Sequence, residues 1–417
     1  MEKPEVHPCN PISLAAELFT KWELMDLLEK ENGAGLRGKW GVFGAHEQNK
    51  LPASERRFQR CLRGSDADPE AFWQGMEGQP IYTKNKDVIS RERTIPIGLH
   101  GDGAPTNKVE SLFTISWSSV TARGATKHTH FIYAAINKSQ IGEGTLEELW
   151  DYLAWSFNAL TTGRLPDCDW KGRKIKGAGR VLARGWRASV INLRGDWEFF
   201  NQVLNFPMST AKPHCCWLCS AGPDTAGLEW SEFGEGAGWR PTVRDHEKYL
   251  ADLAASGKLL PGLFKIRTLR LEGVCIDVLH AIDQGVASHL SGNILAEVME
   301  QGQWGAIKKE QIAGLQADLH RWYVANKKKY RIQGKLTWDR IKTSGDWPKL
   351  KAKAACTRHL SKYCTTLARR FNSGSTHDKR RLALAELLDR FRASVIQQGG
   401  RVAVDVCSCR VHNCFAM

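Results

Sequence analysis

Three runs with strand character follow one another with no helix between them, and that succession limits the folds open to this chain more than any other feature. TIPIGLHGDG, residues 94–103, reads as a strand entering a glycine-rich turn. VESLFTISWSSV and HTHFIYAAIN, residues 109–120 and 128–137, are rich in β-branched and aromatic residues and read as two more strands. Strands this close in sequence pair with their neighbours, so a meander is expected.

The period then changes. In GTLEELWDYLAWSFNAL, Leu146, Leu149, Trp150, Leu153 and Phe157 recur at helical spacing, and Thr145 with Glu148 makes a capping box. A basic, glycine-broken stretch, WKGRKIKGAGRVLARG, leads into WRASVINLRGD, read as a fourth strand ending at Asp196, and WEFFNQVLNF follows at once as a helix. Residues 93–206 therefore run β-β-β-α-β-α, with one acid closing the first strand and another closing the fourth. That is the order of an RNase H-like core, which makes an α/β fold the expectation.

The flanking sequence is less specific. Residues 1–92 hold one helical stretch, 11–30, amid polar loop sequence, and their role is open. Residues 207–275 are loop-heavy and rich in Cys and Trp, and are expected to form an insertion domain. A long helical pattern from 278 to 301 suggests that residues 276–304 complete the core, residues 305–397 read as a basic helical region, and 398–417 as an irregular tail. The tail brings Cys407, Cys409, His412 and Cys414 close together, with little scaffold around them to build a metal site.

Charge narrows the partners. With 59 Lys and Arg against 45 Asp and Glu, the 417-residue chain carries a formal charge of +14. Nucleic acid is the leading polyanion, because neutralising phosphates releases condensed counterions. Residues 171–187 and 327–353 are the basic stretches expected to touch it. No apolar run approaches the roughly 20 residues that span a bilayer, and the first residues lack the apolar stretch of a signal peptide, so an intracellular protein without a membrane partner is expected. Its 12 Cys are too dilute for a disulfide scaffold and point to thiols or metal ligands.

Phosphodiester chemistry with two divalent cations needs carboxylates converging on one place. Asp102 and Asp196, at the ends of neighbouring strands, are the first two candidates. Glu297, on the later helix, is the third, with Glu300 one turn on as the alternative. The ordinary readings are that Asp102 serves a turn beside its glycines and that Asp196 caps the helix starting at Trp197.

Cys216 and Cys219 form a C-x-x-C pair able to grip one Zn²⁺ from a tight turn, with His280 and His289 as completing ligands and Asp277 placed to orient His280. His214 and Cys215 stand beside the pair, and a redox pair is the competing reading.

Taken together, PIGLHGDGAP, LRGDWEFF, CWLC, DVLH and GNILAE resemble the catalytic region of DDE transposases of the CACTA and Plavaka type, in the CMC superfamily. The resemblance covers about residues 93–300. It implies an RNase H-like core interrupted after the second Asp by an insertion bearing C-x-x-C, with a D-x-x-H element before the final Glu. It implies Mg²⁺- or Mn²⁺-dependent cleavage and joining of DNA, with Asp102, Asp196 and Glu297 as ligands. Transposon ends and target DNA would be the partners, the nucleus the compartment, and pairing of two ends would call for a homodimer. The sequence departs from the family in lacking a recognisable end-reading module before residue 93. Two other functions stay open: a catalytically inactive DNA-binding relic, and a basic, zinc-stabilised structural or interaction protein.

Overall fold

The computed structural model describes residues 62, 69–105, 107–122, 129–182, 185–208, 216–328, 330–342 and 347–397. The expected N-terminal helix, His214, Cys215 and the Cys-rich tail lie outside these. The described residues fall into two compact units that meet in sequence between Cys275 and Ile276. None of their helices is long and apolar enough to cross a membrane.

The first unit is mixed α/β. Two short helices, α1 (Pro69–Gly75) and α2 (Pro80–Thr83), precede a four-stranded sheet of β1 (Thr94–Pro105), β2 (Ser111–Ser119), β3 (Phe131–Asn137) and β4 (Arg187–Arg194). The spatial order is β3-β2-β1-β4; β1–β2 and β2–β3 pair antiparallel, and β4 joins β1 in parallel. The parallel connection runs through α3 (Thr145–Thr162), as such a crossover requires. Position in the sheet explains composition: β4 is buried continuously from Ala188 to Leu193, as in a strand covered on both faces, and β1 is buried from Thr94 to Leu99 before it opens to solvent at Asp102.

Two local expectations are corrected. The glycine-rich turn after TIPIGLH is not there: β1 continues through Gly101, Asp102 and Gly103, which pair with Ile115, Thr114 and Phe113 of β2. The capping box is also absent, because Gly144 is the N-cap of α3 and Thr145 Oγ1 accepts from the Gly142 amide, while Glu148 pairs with Lys171 at 2.6 Å. The apolar spacing behind the helix expectation holds, with Leu149, Trp150, Leu153 and Phe157 buried.

After β4, α4 (Trp197–Leu204) starts directly. Residues 216–275 hold little regular structure beyond α5 (His246–Ala255) and short 3₁₀ turns. They belong to the same compact unit as the sheet. Val274 makes a parallel bridge to Leu193 on the free edge of β4, and the Cys275 amide bonds the Leu193 carbonyl at 2.8 Å.

The second unit is helical: a π-helical turn (Leu279–Val286), α6 (Ala287–Glu300), α7 (Lys308–Ala325), α8 (Trp338–Ile341), α9 (Ala354–Arg370) and α10 (Thr376–Gln397). The single helix expected over 278–301 is thus broken, and the break lies at Gly285, whose ψ of −106° no α-helix contains. Asp283, in the π turn, is buried and ion-paired to Arg358 of α9 and Arg392 of α10, fastening the turn to both helices. Leu295, Val298, Leu315, Leu319, Leu360 and Leu367 share the core beneath.

Candidate functional site

The parallel register of β1 and β4 sets His100 opposite Arg194. Asp102 and Asp196 each follow two residues later, Asp102 still paired in the ladder and Asp196 just past the end of β4, so both acids lie toward the same end of adjacent strands. Close contact of the two backbones between them supports this: a Cβ built on Gly195 would stand 2.9 Å from the Gly101 carbonyl oxygen. The Phe199 ring of α4 lies across both glycines, and a Cβ on Gly101 would meet it at 2.0 Å. Any side chain at either glycine would force the ring away, so the glycine before each aspartate is a packing requirement.

The two acids differ in their duties. Asp102 is exposed, lies in the ladder, and has no hydrogen-bond or ion-pair partner for its carboxylate among the described residues. Asp196 is the N-cap of α4, its Oδ1 accepting from the Phe199 amide at 2.7 Å. The cap reading is therefore correct for Asp196 and the turn reading is wrong for Asp102. A cap occupies one carboxylate oxygen and leaves the second available.

Residues beside the acids went unnoticed in the sequence. On the face that carries Asp102, β1 also carries His100, and β4 carries Asn192 and Arg194, preceding Asp196 at a spacing of two. Arg194 donates to Ser118 Oγ at 2.8 Å. Its Nε and Asn192 Oδ1 are buried without a partner among the described residues. Burial first, then the charges of Arg194 and His100, hold the His130 imidazole below its ordinary range. At the rim, Lys138 pairs with Glu198 of α4 at 3.3 Å and its ammonium would lie 3.3 Å from a Cβ on Gly103. The signal that could have found these residues is polar alternation, H-x-D in β1 and N-x-R-x-D in β4, within otherwise apolar strands.

Cys216 and Cys219 are brought together, the second buried and the first half-buried. A hydrogen bond from the Cys219 thiol, then the Leu218 and Cys219 amides and the charge of Arg244, pull the Cys216 thiol down despite burial. Its partner's thiol is correspondingly pushed up. The Leu218 amide donates to Cys216 Sγ at 3.4 Å. Trp239 and Ala237 pack beside the pair. Among the described residues no three His, Cys, Asp or Glu side chains converge as a metal-binding group, so the pair stands there as two donors.

The remaining candidates lie in the second unit. Asp277 accepts from the Leu279 amide and holds His280 Nδ1, fixing the imidazole as a carboxylate partner does. His289 is exposed on α6. Glu297 is half-buried on the same helix, and its Oε2 accepts from Arg381 at 2.7 Å and faces His377 Nε2 at 3.1 Å. Glu300 is exposed. Of the basic stretches, the start of 171–187 is partly neutralised, Lys171 by Glu148 and Arg173 by Asp169.

Compared with known proteins, the chain matches no family model and no curated sequence.

Proposed function

We propose that the chain carries an RNase H-like core and is a DDE-type transposase, or the remnant of one, that cuts and joins DNA strands with Mg²⁺ or Mn²⁺. The observation that carries this reading is Asp102, inside β1, and Asp196, two residues past the end of β4, each two residues beyond the His100–Arg194 pair of adjacent parallel strands. Strand order supports it, since a β3-β2-β1-β4 sheet with β4 parallel to β1 is what such a core calls for.

The residues present suit a divalent cation. No cationic side chain among the described residues pairs with Asp102 or Asp196, so neither carboxylate has its charge neutralised by an ion pair there. Bound there, divalent ions would activate the attacking oxygen and stabilise the leaving one. Asp102 would give both oxygens, and Asp196 the oxygen not spent on the cap. Lys138 and Arg194 would lend positive charge to an approaching phosphodiester, and His100 a ring nitrogen beside them. Glu297 as the third acid, and His280 with His289 as completing ligands of a structural Zn²⁺ site begun by Cys216 and Cys219, enter this reading from the sequence alone. DNA is the partner, in the nucleus, and a homodimer would pair two ends.

One observation favours a second reading, a DNA-binding relic without turnover. Arg381 already neutralises Glu297, and a carboxylate so paired must give up that partner to take a metal. Labelled DNA incubated with the protein and Mg²⁺ or Mn²⁺ separates the readings. Cleavage lost in both Asp102→Ala and Asp196→Ala supports the enzyme, and cleavage that survives both removes it. DNA binding without cleavage in the wild-type chain selects the relic.

A further inference from the structure

The second unit contains a groove of about 860 Å³ whose two walls are basic and whose lining includes no carboxylate. One wall is a face of α7: Lys309, Ile312, Ala313, Gln316, Ala317 and His320 recur every three or four residues, so they form one stripe along the helix. Facing it is the segment 331–336, which runs back along the helix with Arg331 and Lys335 in the lining. Two hydrogen bonds pin that segment in place: the Ile332 amide donates to Tyr323 Oη at 3.2 Å, and the Leu336 amide to Gln316 Oε1 at 3.3 Å. Tyr323 and Leu336 are themselves buried, so the groove is part of the packed unit.

Its charge is available. Lys309 and Lys335 are exposed, and neither they nor Arg331 has a carboxylate partner among the described residues. Arg331 lies over the Tyr323 ring, 5.6 Å from its centroid. Only Arg321, of the lining cations, is ion-paired, to Asp318 at 3.0 Å. Along the stripe stand the exposed Ala313 and Ala317, side chains too short to hold a ligand away from the helix. From Lys309 to His320 the helix rises about 16 Å at 1.5 Å per residue, enough for several nucleotides of one strand at 3.4 Å each. A lone anion would be satisfied by one wall. Lys309 on one wall and Arg331 and Lys335 on the other, without carboxylate partners among the described residues, suit a linear polyanion.

We propose that this groove binds the sugar-phosphate backbone of a DNA strand, Lys309 and Lys335 contacting phosphates from opposite sides. The inference rests on the reading of the chain as a DNA-handling protein, and it gives the DNA a place remote in sequence from the two aspartates.

The test is fluorescence anisotropy of labelled single-stranded and duplex oligonucleotides with the full chain, repeated across a salt series. Lys309→Gln with Lys335→Gln should weaken binding of at least one oligonucleotide about tenfold near 0.1 M salt. It should also lower the slope of log Kd against log salt by roughly 1.5, two phosphate contacts at 0.7–0.9 each. Lys248→Gln with Lys265→Gln, which removes equal charge from side chains paired with Asp252 and Asp151, should leave both quantities near wild type. Circular dichroism of each variant confirms that it folds. Unchanged affinity and slope in the groove variant, or an equal loss in the control, overturns the groove while leaving the function standing. A wild-type chain that binds neither oligonucleotide overturns both, and binding without cleavage counts against the enzyme alone.

Discussion

Asp102 and Asp196 are the same residue type under different local constraints, and mutation should tell them apart before any activity is measured. Asp196→Ala removes the N-cap of α4 and should cost about 1 kcal/mol. Asp102→Ala removes a carboxylate with no described partner, and should change stability by less than about 0.5 kcal/mol; urea unfolding of the two variants measures the difference. An equal loss would mean that Asp102 has a structural partner. Cys216 yields a second prediction at this scale. Its thiol is drawn below the ordinary range by the Cys219 hydrogen bond, so the thiolate persists to lower pH than in a free cysteine. Alkylation of metal-free protein against pH should show Cys216 reacting with a midpoint below about 8.5, the free-thiol value, while Cys219 stays protonated and slow. Two equal midpoints at the ordinary value would contradict the pairing.

At the scale of elements, the strand ends depend on glycine. Gly101→Ala or Gly195→Ala drives a methyl group into the Phe199 ring and should cost about 1–3 kcal/mol. Gly103→Ala meets only the flexible end of Lys138 and should cost less; thermal or urea unfolding of the three variants ranks them. The π turn of the second unit supplies another case. Asp283→Ala strands two arginines that share one buried carboxylate, and a loss of about 3–5 kcal/mol is expected in the unfolding of that unit. The elements themselves were largely legible, because the two periods, two in strands and 3.6 in helices, are written in the placing of Ile95, Ile97 and Leu99 or of Leu149, Leu153 and Phe157. What misled was chemistry that tertiary pairing overrides. Gly-Asp-Gly has turn character alone, yet nine paired residues of β2 hold it in the ladder. Likewise Val278 to Gln301 keeps a helical pattern, but a pattern of side chains cannot announce the backbone angles of Gly285.

For the molecule as a whole, the sequence expected both aspartates at strand ends; Asp196 follows the end of β4, Asp102 stays inside β1, and the register adds that the two strands are neighbours and parallel. The glutamate proposed as the third acid was legible as a helical residue. Its engagement with Arg381 and His377 was not, since those residues lie some eighty positions later. The same limit hid the basic groove, whose walls come from α7 and a segment pinned back onto it, and the polar strip of His100, Asn192 and Arg194, which shows only when two strands are aligned. Charge balance alone pointed to a polyanion, and neutralised pairs such as Lys171 with Glu148 explain why counting basic residues overstates some stretches and misses others. The central claim is that Asp102 and Asp196 jointly hold a divalent cation. Mn²⁺ binding, followed by electron paramagnetic resonance on wild type, Asp102→Ala and Asp196→Asn, tests it most directly. The account predicts a wild-type site whose affinity falls at least tenfold in each variant, both of which remain folded. Mn²⁺ affinity unchanged by either substitution would contradict it.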